Sequence, residues 1–179
     1  MCRNEHGFTL VELLIVVTIM GIAAIVAIPD ISTTTPQRLE LAAEEFAQAM
    51  RFARSEAIRT GEPLGFRQRS SKKRIRVFSL DTGTSPWKPV YNIRHPFSKQ
   101  FYDIRLDAHA FASASSITRT PVFRGACNNV RNIYFDSKGI PRCVDPETVL
   151  LDQFQVTLVA GNHTRVVTLD GITGRVTVQ

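Results

Sequence analysis

The chain reads as an α+β protein: a long N-terminal helix followed by antiparallel β-structure. Three observations predict this. An apolar run extends from Phe8 to Ile28 with Glu12 as its single charge. A second, amphipathic run follows, with apolar residues at three- to four-residue spacing. Towards the C-terminus, apolar and polar residues alternate in short segments separated by Gly-containing turns.

As a helix rising about 1.5 Å per residue, residues 8–28 extend roughly 30 Å, the thickness of a bilayer core. They are expected to form a membrane-spanning helix. Glu12 is costly there: a carboxylate in hydrocarbon costs about 2.5–3.5 kcal/mol on insertion scales. Lying one turn inside the run, it either snorkels to the headgroups or awaits a partner. Arg3 precedes the run and fits an N-terminus held in the cytoplasm, which places the domain after Ile28 in the periplasm. No small-residue cleavage site follows an apolar core of conventional secretory length.

The stretch Gly7-Phe8-Thr9-Leu10-Val11-Glu12-Leu13-Leu14 resembles the class III signal of type IV pilins and pseudopilins. The resemblance implies that residues 1–7 are a leader and that a prepilin peptidase cuts between Gly7 and Phe8. Phe8 would then be N-methylated, and Pro29 would kink the helix. It also implies a role for Glu12 in filament assembly, pairing with the new α-amine of Phe8 on a neighbouring subunit or on its own chain. A buried charge is tolerable once paired and hydrogen-bonded. The apolar helix would sit in membrane lipid before assembly and in the filament core afterwards.

Residues 29–179 are expected to form one periplasmic globular domain. Asp30–Thr35 is polar and reads as a kink or short link, and Thr35-Pro36 as an N-cap and first helical residue. Leu39, Ala42, Ala43, Phe46, Met50, Ala53 and Ala57 then mark one face of a helix over 36–60. The alanines allow close approach to a sheet, and Gly61 is a natural C-cap. Ala42-Ala43-Glu44-Glu45-Phe46 and Ala53-Arg54-Ser55-Glu56-Ala57-Ile58 resemble the GspH/FimT branch of minor pilins and pseudopilins.

The β-sheet is expected over 63–179. Residues 63–69 and 74–80 read as a hairpin around Ser70–Lys73, and carry a basic cluster of Arg67, Arg69, Lys72, Lys73, Arg74 and Arg76. Asp81–Pro96 holds four prolines or glycines and reads as a surface excursion. Phe101–Phe123 suggests short strands around Ala/Ser-rich loops. Arg131–Phe135 is a strand, and Ser137-Lys138-Gly139 a turn. Phe154, Val156 and Leu158 alternate with polar residues, Gly161-Asn162 turns the chain, and Arg165–Leu169 and Arg175–Val178 complete an antiparallel meander. The ending Gly171-Ile172-Thr173-Gly174-Arg175-Val176 also resembles the GspH/FimT C-terminus.

Composition fits one globular domain beyond the apolar run: 44% hydrophobic and 21% charged residues, with a formal charge of +6. Of three cysteines, Cys2 lies in the leader. Cys127 and Cys143 form an even pair in an oxidising compartment, which favours a disulfide over two free thiols. It would close a loop of about 17 residues, contributing about 3 kcal/mol in the chain-entropy picture. A zinc site lacks further nearby Cys or His ligands.

No enzyme motif surrounds His6, His95, His109 or His163, and neither a cofactor nor a metal is implied. The basic hairpin, together with Arg175, is a candidate DNA contact through phosphates. Some FimT members bind DNA through a Gly-Arg-x-Arg motif. Here the matching run is Gly174-Arg175-Val176-Thr177, without the second Arg. The resemblance as a whole implies a minor pilin of a type IV pilus that helps to initiate assembly at the filament tip. The alternative is a minor pseudopilin of a type II secretion system. Its partners would be other minor and major pilins or pseudopilins, the prepilin peptidase, and the inner-membrane assembly platform.

Overall fold

The computed structural model describes residues 9–26, 35–106 and 112–179. The chain divides into two compact units, Met1–Ser32 and Thr33–Gln179. Gly7, Phe8, Pro29 and His109 therefore lie outside the described residues.

The first unit contains helix α1, Leu10–Val26. Thr9 starts it: its Oγ1 accepts the Glu12 N–H at 3.3 Å and its carbonyl accepts the Leu13 N–H at 3.2 Å. A threonine whose side chain caps the first turn in this way is a strong helix-start signal. The helix has 17 residues, about 25 Å at the α-helical rise. Among the described residues no helix is long and apolar enough to cross a membrane. The span expected over 8–28 extends past α1 at both ends, into positions outside the described residues.

The second unit begins with α2, Thr35–Thr60. Its buried residues are Leu39, Ala42, Ala43, Phe46, Ala47, Ala49, Met50, Ala53 and Ala57, which extend the predicted stripe by two alanines. Gly61 ends the helix with φ +74° and an N–H bonded to the Ala57 carbonyl at 3.0 Å, the left-handed cap expected of glycine.

Ten strands follow. They are β1 Leu64–Arg69, β2 Arg74–Asp81, β3 Lys88–Val90, β4 Asp103–Arg105, β5 Ser116–Phe123, β6 Asn132–Phe135, β7 Pro141–Cys143, β8 Leu151–Ala160, β9 His163–Asp170 and β10 Val176–Val178. The sequence suggests one sheet, but the strands form two. The first runs β3-β2-β1-β6-β7, with β4 also on β2; the second runs β10-β9-β8-β5. All pairings are antiparallel. The division follows from edge occupancy. β3 takes Ser79–Asp81 of β2 and β4 takes Arg74–Arg76, so the outer edge of β2 is already paired when the chain leaves β4. β5 instead pairs with β8 at the far edge of the second sheet, and carries Pro121.

α2 and both sheets share one core. Phe66 on β1 joins the layers, with its ring 6.1 Å from Phe135 in its own sheet and 5.3 Å from Phe154 in the other. In β1, Leu64, Phe66 and Gln68 face this core. The other face of the first sheet carries a smaller cluster of Phe78, Tyr134 and Val144, flanked by Leu80, Trp87 and Tyr91. Gly65 makes that cluster possible. Phe78 lies directly across from it on β2, and a Cβ at position 65 would fall 2.5 Å from the Phe78 ring. Cys127 and Cys143 are joined as a disulfide with Cα atoms 5.9 Å apart, fastening the loop before β6 to β7.

Candidate functional site

Three features carry the residues that the sequence singles out. The first is α1. Glu12 stands in its first turn, among exposed apolar side chains that include Leu10, Val11, Leu13, Leu14, Ile15 and Val17. They occupy every side of the helix, so α1 is not the one-faced stripe of a helix resting on a soluble core. Glu12 is the one charged side chain in α1.

The second feature is the β1–β2 hairpin, whose predicted basic residues have divided roles. Arg67 faces Arg76 across the two strands, and Arg69 faces Arg74. Like charges directly opposite one another repel, and the fold answers each pair differently. Tyr91 stands at the first: Arg67 Nη1 donates to its hydroxyl at 3.0 Å, and the Arg76 guanidinium lies 4.1 Å from its ring centroid. A cation over an aromatic face is attracted by the ring quadrupole. At the second pair, Arg74 makes a two-pronged ion pair with Asp103 on β4. Arg69 instead lines a recess at the end of β1. Lys73 adopts the left-handed conformation that closes the turn, with φ +42°. The Lys72 side chain is outside the described set. The five described side chains therefore do not act as one basic stripe. Tyr91 and Asp103, which sequence reasoning passes over, determine which of them are committed. Their only sequence signal is an aromatic and a carboxylate in segments that read as irregular.

The third feature surrounds Arg175. It shares a recess of about 310 Å³ with Arg51, Arg54, Ser55, Ile58, Gly174 and Val176. Arg51 and Arg54 hold structure here. Arg51 pairs with Glu44 at 3.2 Å and donates to the Val176 carbonyl at 3.3 Å. Arg54 donates to the Gly139 carbonyl at 3.2 Å and to the Thr173 carbonyl at 2.8 Å, tying α2 to the β6–β7 turn and to the β9–β10 turn. The latter turn is organised by Asp170, whose Oδ1 accepts from the Ile172 N–H at 3.0 Å, the Thr173 N–H at 2.7 Å and the Thr173 hydroxyl at 2.8 Å. The Thr173 bonds, with the smaller one from Ile172, lower the Asp170 pKa. Arg165 on β9 pairs with Glu40 on α2.

Burial pushes the Tyr134 phenol up to about 12, and Tyr102 rises for the same reason, with Glu45 adding to it. Both are core tyrosines. The Tyr134 hydroxyl donates to the Glu147 carbonyl at 3.0 Å. Among the described residues no three His, Cys, Asp or Glu side chains are grouped to hold a metal ion.

Comparison with known proteins adds to this geometry. Residues 2–28 match the family described as the prokaryotic N-terminal methylation motif, and residues 42–173 match the family described as type II transport protein GspH. No curated protein matches the sequence. Among solved structures, the chain is similar to the minor pseudopilin EpsH of the Vibrio cholerae type II secretion system. One structure of it gives a TM-score of 0.53 at 13% identity, covering 81% of this chain and 95% of that one. A second gives 0.50 at 15% identity, covering 79% and 96%. The type IV minor pilin FimU of Pseudomonas aeruginosa gives 0.49 at 18% identity, covering 79% and 87%. The likeness to EpsH is one of fold.

Proposed function

The chain belongs to the GspH family and carries the prokaryotic N-terminal methylation motif, and from this we propose that it is a minor pilin of a type IV pilus that helps to initiate filament assembly at the tip. One observation carries the reading: a helix apolar on every side with a single carboxylate, Glu12, in its first turn, on a chain whose second unit is a compact α+β domain. In this reading the leader 1–7 is removed by the prepilin peptidase between Gly7 and Phe8, and Phe8 is N-methylated. Residues 8–28 anchor the subunit in the inner membrane, with the C-terminal domain in the periplasm. On assembly, α1 leaves lipid for a core of neighbouring helices, where Glu12 meets the amine at Phe8. Desolvation makes an unpaired Glu there costly, so the pairing fixes axial register as well as recruiting the subunit. The partners are other minor and major pilins and the inner-membrane assembly platform. The role is structural, without catalysis.

The test is the pilus yield on shearing cells that lack the chain, beside cells carrying it back. Loss and rescue of surface pili are expected. Normal pili with impaired protein secretion would overturn the pilus reading in favour of a minor pseudopilin. That alternative is supported by the match of residues 42–173 to a type II transport family. DNA uptake is a further reading, through the hairpin and Arg175. It is weakened where the hairpin's arginines are committed, since Arg67, Arg74 and Arg76 are held by Tyr91 and Asp103.

A further inference from the structure

Where the two sheets meet, three arginines line one recess. Arg69 ends β1, Arg119 lies mid-strand on β5 and Arg131 immediately precedes β6. With Ser70 and Ser71 they line a recess of about 240 Å³. Among the described residues no carboxylate lies within ion-pair distance of Arg69, Arg119 or Arg131. Elsewhere the fold neutralises its partly buried arginines: Arg74 has Asp103, and Arg142 has Asp136 at 2.9 Å.

The recess is built, not incidental. Arg119 Nη1 donates to the Gln68 carbonyl at 3.2 Å and to Gln68 Oε1 at 2.8 Å, with Ser70 Oγ at 3.4 Å. Ser70 Oγ in turn donates to Gln68 Oε1 at 3.1 Å. Gln68 is fully buried on the core face of β1, a poor place for an amide unless its position is needed. Among the described residues its Nε2 has no partner. The second sheet thus presents one guanidinium, through a buried glutamine, to a site whose other two are supplied from the first sheet. Burial, Arg131 and Arg67 together lower the Arg119 pKa. This is the signature of positive charge gathered without compensation.

The number of donors indicates the kind of anion. A carboxylate offers two oxygens and one negative charge, so a single bidentate guanidinium already balances its charge. Three guanidinium groups and the Ser71 hydroxyl suit an anion with three or more acceptor oxygens and about two negative charges, which describes a phosphate monoester or inorganic phosphate. A phosphodiester has only two free oxygens and one charge. We infer that the recess formed by Arg69, Arg119, Arg131, Ser70 and Ser71 is a binding site for a phosphate dianion, either free or as the monoester headgroup of a lipid.

The test uses the full chain in detergent micelles, titrated with inorganic phosphate at constant ionic strength made up with chloride, and read by calorimetry. A parallel arm replaces the phosphate with micelles doped with phosphatidic acid, with phosphatidylcholine as the diester control. Saturable binding in either arm is expected, and the arm that responds identifies the source. Arg131→Gln and Arg69→Gln should each weaken binding about tenfold or more, as loss of a hydrogen bond to a charged group does. Lys138→Gln, on an exposed turn, should leave it unchanged. Arg131 is exposed, and retained circular dichroism of its variant separates lost binding from lost folding. No binding beyond the chloride background would overturn the inference. So would binding that survives both arginine substitutions, or binding of a single-stranded oligonucleotide without terminal phosphates in preference to phosphate.

Discussion

A Cβ added at Gly174 would fall 2.6 Å from Nε of Arg54, the side chain that fastens α2 to two turns of the sheets. Gly174 also has φ +65°, a backbone region that other residues adopt only at a cost. Sequence similarity draws the eye to Arg175, but its glycine neighbour is what lets the helix reach the C-terminal turn. Gly174→Ala should destabilise the domain by about 1–3 kcal/mol, seen as a lower midpoint in denaturant. Gly161 is the internal control, with φ +58° and open space around its Cβ. Gly161→Ala should cost less than Gly174→Ala. Equal losses would show that backbone conformation alone matters and that Arg54 does not.

Reduction of the Cys127–Cys143 disulfide should lower stability by about 3 kcal/mol, as expected for a loop of this length. Cys143 lies fully buried in β7. Cys127→Ser, which leaves the buried position intact, is therefore the cleaner variant. An unfolding midpoint indifferent to reductant would contradict a stabilising bridge.

Alkaline pH should unfold the domain partly through Tyr134. Its folded pKa of about 12 exceeds the value near 10 of an unfolded tyrosine, so between these values the folded state holds more protons than the unfolded one. The stabilisation is complete below pH 10 and is lost as pH rises through the folded pKa. Tyr134→Phe should shrink the loss of stability between pH 10 and about 12, measured by denaturant midpoints across that range. An unchanged slope would show that Tyr134 ionises freely in the folded state.

Glu12→Ala should leave leader processing intact and reduce incorporation into sheared filaments several-fold. Wild-type incorporation of this variant would remove the case for a Glu12–amine pair. Gly7→Val should instead leave a precursor of slightly greater mass. A mature-sized product would place the cleavage elsewhere.

The elements that sequence alone makes legible are those fixed by local chemistry. α2 follows from the spacing of Leu39, Phe46 and Met50, and ends where Gly61 permits the left-handed turn. The β1–β2 hairpin and the β8–β9–β10 meander follow from short-range alternation. What the sequence hides is long-range. Nothing local says that Asp103 will meet Arg74, or that Tyr91 will sit between Arg67 and Arg76. The separation into two sheets depends on which strands occupy the edge of β2. In sequence the basic hairpin reads as continuous because consecutive charges are neighbours there, whereas strand alternation and distant partners decide which ones remain available.

Pro121 has a consequence for how copies of this domain can associate. It lies on β5, the outermost strand of the second sheet and, with its eight residues, the longest exposed edge among the described strands. Proline has no N–H to offer, so this edge lacks a donor that an incoming strand would require. The remaining margins, β3, β4, β7 and β10, are three residues each. Short or proline-interrupted margins are poor templates for cross-β growth. Copies of the domain brought to high local concentration thus have little route to strand-by-strand addition at their edges.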